Sequence, residues 1–124
     1  MDPVPELEDL VWLFEMEPVA SDSDPNWRQY WPYTSVTFTT ARGEYEITVS
    51  VSPGYEDASI TIVRDGHRLV ALALFDVKSA AVERLHGAEE LVLRFRDPKL
   101  RRLRLRLKPE VSLDWGTELY PTAQ

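Results

Sequence analysis

The sequence predicts a mainly β protein: an antiparallel meander of seven or eight strands, strongly curved or closed into a barrel, with one short N-terminal helix. Apolar residues recur at every second position from residue 34 onward. Turn signals separate these runs at short intervals, which suits consecutive hairpins. A helical three-and-four spacing opens the chain. The 124 residues suffice for one domain, read as a helix over 5–16, an aromatic-rich loop over 18–33, a meander over 34–116 and a loose tail over 117–124.

In the N-terminal stretch PELEDLVWLFEM, Leu7, Leu10, Val11 and Phe14 form one apolar face. Pro5 suits a first turn, Glu6, Glu8 and Asp9 favour the positive end of the helix dipole, and Pro18 stops the helix. A buried strand over Val11–Phe14 is the alternative. The loop that follows carries Trp27, Tyr30, Trp31 and Tyr33. Such residues dominate binding hot spots, yet they also hold a loop down across an open barrel end.

The meander is read strand by strand. Val36 and Phe38 alternate with polar residues, as do Tyr45, Ile47, Val49 and Val51, and a two-residue loop at Ala41-Arg42 sets Phe38 opposite Tyr45. Ile60 and Ile62 face inward, and Asp65-Gly66 is a strong hairpin signal that places Ile62 opposite Leu69. The stretch from Arg68 to Phe75 is apolar on both faces, so both are expected to be covered, the second by the helix. Residues 76–88 read as a strand turning at His86-Gly87, with a helix as the alternative. Leu91, Leu93 and Phe95 face inward, Asp97-Pro98 turns the chain, and Leu103, Leu105 and Leu107 return along the core. Val111, Leu113 and Trp115 make a last strand.

Charge is distributed unevenly. The net charge is −7, yet residues 94–108 hold eight bases against one acid, while the remainder holds six bases and twenty acids. Pairing Phe95 with Leu103 sets Arg96 opposite Arg102 and Arg94 opposite Arg104, an arrangement that costs roughly a few tenths to 1 kcal/mol per like-charged pair. Acids must compensate; if Leu107 pairs with Val111, Asp114 stands opposite Arg104, and Glu44, Glu46, Glu89 and Glu90 supply more. A stripe of Arg94, Arg96, Arg102, Arg104 and Arg106 is then a salt-bridged outer face, or else a contact for an acidic protein or for phosphates.

Little in the sequence points to chemistry. There is no cysteine, hence no disulfide and no thiolate metal site. His67 and His86 sit beside turn glycines on separate hairpins, and no metal-ligand spacing, GxSxG or glycine-rich phosphate loop occurs. No cofactor and no enzymatic activity are expected. The start MDPVPELEDL lacks a signal-peptide pattern, and Leu69–Phe75 is too short to span a bilayer, so a cytoplasmic protein that avoids membranes is expected. These features fit a non-catalytic protein-binding module, an inhibitor or immunity-type accessory protein whose acidic loops at 22–24 and 56–57 steer a basic partner. A carrier of a small apolar ligand in a barrel cavity is the alternative. Nucleic-acid binding through the arginine ribbon comes third, disfavoured by the lack of interleaved aromatics. The oligomeric state is open.

Overall fold

The computed structural model describes residues 1–117. Helix α1 spans Leu7–Phe14, and nine strands follow: β1 Val19–Ala20, β2 Val36–Arg42, β3 Tyr45–Ser52, β4 Asp57–Arg64, β5 His67–Leu74, β6 Val77–Leu85, β7 Ala88–Phe95, β8 Leu103–Lys108 and β9 Ser112–Asp114. All neighbours pair antiparallel in chain order, but in two sheets, β1–β5 and β6–β9. The expected single curved meander is thus divided, and no barrel closes among the described residues. The division falls at Phe75-Asp76. Asp76 takes a left-handed conformation (φ 55°), and the Val77 N–H donates to the Glu56 carbonyl at 2.9 Å, turning the chain out of the first sheet. Residues 76–88 form a strand, not the alternative helix.

Period-two alternation gives each sheet one apolar face. Val36, Phe38, Ile47, Val49, Val51, Ala58, Ile60 and Ile62 from the first sheet are buried in one cluster with Leu91, Leu93, Leu103, Leu105 and Leu107 from the second. The outer face of the first sheet carries hydroxyls that bond across strands, Thr37 to Ser50 at 2.7 Å and Ser35 to Ser52 at 2.6 Å. Helix α1 packs against β2, β6 and β7. It is shorter than the expected 5–16, and its buried face is Leu7, Leu10, Leu13 and Phe14, with Val11 only half buried. The Phe14 ring stacks on Phe38 with centroids 4.7 Å apart.

Inner faces match the sequence reading except in β5, where Val70, Leu72 and Leu74 face inward in place of Leu69 and Ala71, and several registers differ. The first hairpin turns at Gly43-Glu44 rather than Ala41-Arg42, so Phe38 faces Val49 and Arg42 faces Tyr45. Gly43 has φ 60°, a conformation that suits glycine at the first position of a two-residue loop. Asp65-Gly66 turns as expected, at φ 51° and 76°. A bulge just beyond it absorbs Leu69, so that Ile62 faces Val70 and Ile60 faces Leu72. The residues at 69, 71, 73 and 75 therefore point outward, and the helix does not cover them; Leu69 and Phe75 are exposed. In the second sheet Leu93, not Phe95, faces Leu103. The longer connection responsible is held by an Asp97 side chain accepting from the Lys99 N–H at 2.9 Å and by Arg101 N–H donating to the Gly116 carbonyl at 2.9 Å. At the expected tail, Thr117 bridges Leu100, and 118–124 lie outside the described residues.

The Phe14–Phe38 contact predicts a measurable cost. Phe38→Ala should destabilise the fold by about 3–5 kcal/mol through lost burial and a residual cavity. Urea unfolding checks this; a loss under about 1 kcal/mol would mean the core collapses onto the gap.

Candidate interaction surfaces

The true β7–β8 register resolves most of the arginine run internally. Arg104 stands opposite Val92 and Arg106 opposite Glu90, so the expected facing pairs Arg94–Arg104 and Arg96–Arg102 do not form. Glu90 is buried, and Arg104 donates to both its carboxylate oxygens, at 2.7 and 3.1 Å, with Arg106 3.9 Å away. Fork-to-carboxylate geometry of this kind is among the strongest side-chain pairings. Hydrogen bonding and the Glu90 charge push the Arg104 guanidinium pKa further up. Arg104 also faces Asp114, as the sequence predicted. Lys108 reaches Glu15 and Glu89, and Arg101 lies 3.3 Å from Asp114. Arg96 leaves the sheet for Glu56, with Nε donating at 3.1 Å. Among the described residues Arg94 and Arg102 make no ion pair; with Arg101, Arg104 and Asp114 they line a shallow cleft of about 330 Å³.

The aromatic segment does not plug a barrel end. It forms a 3₁₀ stretch over Trp27–Tyr33, kinked at Tyr30. Trp31 is buried in the core and Trp27 half buried, with Arg28 stacked over its ring. The Tyr30 hydroxyl donates to Asp24, which pushes the Tyr30 pKa up to about 12. Tyr33 is the exception, 85 % exposed.

Tyr33 lies beside a residue that the sequence reading placed in a plain turn. Tyr55, in the 3₁₀ turn Pro53–Tyr55, is 80 % exposed. Both tyrosines and Gly54 line two adjoining clefts. One, of about 580 Å³, adds Asp2, Val4, Pro32 and Glu56; the other, of about 270 Å³, adds Ser21, Asp22, Thr34 and Ser35. No Lys or Arg side chain lines either, though Met1 lines the larger and its amine lies 3.0 Å from the Glu56 carboxylate. The fold thus brings the acidic segments near 22 and 56 to one place and sets two exposed phenols between them. The available signal was the run Pro-Gly-Tyr-Glu-Asp, since an aromatic at a turn tip has no core to enter.

Among the described residues no group of three or more His, Cys, Asp and Glu side chains is placed to hold a metal ion. His67 and His86 are exposed on separate hairpins. No helix is long and apolar enough to cross a membrane.

Glu56 gives this end its own pH response. Hydrogen bonds from Arg96 and from the Met1 amine hold its carboxyl at about 2, below the ordinary value of 4.5. A lowered folded-state pKa contributes stability that is complete above the ordinary value and lost as pH falls toward the folded one. The stability gap between wild type and Glu56→Gln should be widest near neutrality and close between those two values. Thermal unfolding across that range checks it; a gap independent of pH would remove the ion pair from the account.

No protein-family model matches the chain, and no curated protein matches it in sequence. In three dimensions it is similar to a chain of a contact-dependent growth inhibition toxin–immunity protein complex from Klebsiella pneumoniae 342. That likeness has a TM-score of 0.74 at 17 % identity and covers 91 % of this chain and 94 % of that one; it establishes a shared fold.

Proposed function

We propose that this chain is a non-catalytic protein-binding module of the immunity type, acting in the cytoplasm, that neutralises a protein partner through its Tyr33–Tyr55 end. The observation that carries the reading is the pair of exposed phenols set between two clefts whose lining adds Asp2 and Asp22 and no Lys or Arg, the Glu56 carboxylate there being already paired with Arg96 and the Met1 amine. Tyrosine offers large amphipathic contact area at low conformational cost, and carboxylates around it select a basic partner. The fold shared with a chain of a toxin–immunity complex supports this reading. The carrier reading loses support, since no barrel closes among the described residues and the large inner side chains pack into a common core. Arg94 and Arg102 are the residue of the nucleic-acid reading and offer too small a basic surface to favour it.

The test is affinity co-purification from the native host after nuclease treatment, followed by expression of the captured protein in a host with and without this chain. Wild type should hold a protein whose toxicity it relieves. Tyr33→Ala/Tyr55→Ala should weaken the complex by about 2–4 kcal/mol, on the order of thirtyfold to a thousandfold, while Arg94→Glu/Arg102→Glu leaves it intact. The reverse pattern would move the interface to the arginine cleft. A captured partner with no toxicity would keep the binding role and sink the immunity role, and capture that disappears with nuclease would sink both.

A further inference from the structure

The two sheets have four edges; two are short, and a third, that of β6, is covered at its start. β1 has two residues and β9 three. The edge of β6 is strapped by the N-terminal segment, where the Asp2 N–H donates to the Lys78 carbonyl at 2.9 Å and the Ala80 N–H to the Pro3 carbonyl at 3.0 Å. β5 is different. It runs for eight residues, pairs only with β4, and makes no other backbone hydrogen bond among the described residues. Antiparallel geometry aims the N–H and C=O of alternate β5 residues away from β4, into solvent. Natural edge strands usually carry a charge, a proline or an inward-pointing polar residue against unwanted pairing. Between Leu69 and Phe75 this strand has none.

Its outer face is apolar as well. The bulge at Leu69 turns Leu69, Ala71, Ala73 and Phe75 outward, and all four are exposed. The ends are oppositely charged, with Arg68 before this stretch and Asp76 after it, both exposed. We infer that β5 is a self-association edge, pairing antiparallel with β5 of a second copy about a two-fold axis near Leu72. In that register Ala71 faces Ala73 of the second copy and Val70 its Leu74, while Leu69 lies toward its Phe75 just past the strand end, giving one continuous apolar stripe across the joint. Each basic end lies against the acidic end of the other copy, whereas parallel pairing would set like ends together. A two-fold contact must be self-complementary, and this strand meets that condition in charge and in apolar pattern. β5 lines neither tyrosine cleft, so the inference stands apart from the partner-binding role.

Sedimentation velocity of the full chain over about a hundredfold range of concentration tests this by mass action. Wild type should rise from 14.3 kDa to twice that mass. Ala71→Lys/Ala73→Lys sets like charges opposite one another and should remain monomeric, as should Ala71→Glu/Ala73→Glu. An equal mixture of the two should recover the doubled mass, because only the mixed pair is complementary. Circular dichroism confirms that both variants are folded; should either fail to fold, Leu69→Asp replaces it and should likewise stay monomeric. A wild type that stays monomeric throughout overturns the inference. So do variants that dimerise as wild type does, and so does a mixture that remains monomeric.

Discussion

The stack of Phe14 on Phe38 is the contact on which the rest of the architecture depends. Each sheet alone has one apolar face and nothing to cover it. Helix α1 touches β2 in one sheet and β6 and β7 in the other, so it closes the seam where the chain changes sheets. Its ring pair ties the helix to the first sheet, while Asp9 with Arg84, and Glu15 with Lys108, hold it to the second. Burial of Leu7, Leu10, Leu13 and Phe14 is what a two-sheet core requires of a single short helix.

The arginine run has a complementary logic. A base-rich ribbon in an acidic chain suggests a surface waiting for an anion. Instead, a two-residue change of register sets Val92 opposite Arg104 and Glu90 opposite Arg106, and a buried carboxylate becomes the anchor for two guanidinium groups. Glu56 does the same for Arg96 from the other sheet. Most of the basic charge is thereby spent within the fold, and Asp2 and Asp22 are the acids left in the lining of the tyrosine clefts.

Which residues face the core was legible because alternation survives a shift of two. Moving the first turn from Ala41-Arg42 to Gly43-Glu44 changes every partner and leaves Val36, Phe38, Ile47 and Val49 inside. Registers were less legible, since turn length decides them, although Gly43 carried a usable signal. The bulge at Leu69 left no trace in a stretch apolar on both faces. The arginine partners depend on register and so were out of reach. Of the candidate site, Tyr33 was visible as an aromatic without a settled place. Tyr55 was hidden because its importance lies in meeting Tyr33 across twenty-two positions of chain.

The break at Phe75-Asp76 also divides the folding problem. Within each sheet every pairing joins consecutive strands, and apart from the connections over 21–35 and 96–102 the loops that must close are short and their entropic cost small. The distant contacts are those between the sheets, in the shared core and in pairs such as Glu56 with Arg96 forty positions apart, Asp9 with Arg84 seventy-five, and Glu15 with Lys108 ninety-three. Hairpins are then the fast, local part of folding, and docking of the two sheets around α1 is the step that bears the cost of long-range closure. Until that step, both apolar faces and the open edge of β5 are presented together, which makes the half-assembled chain, more than the native one, the species that must be kept from its neighbours.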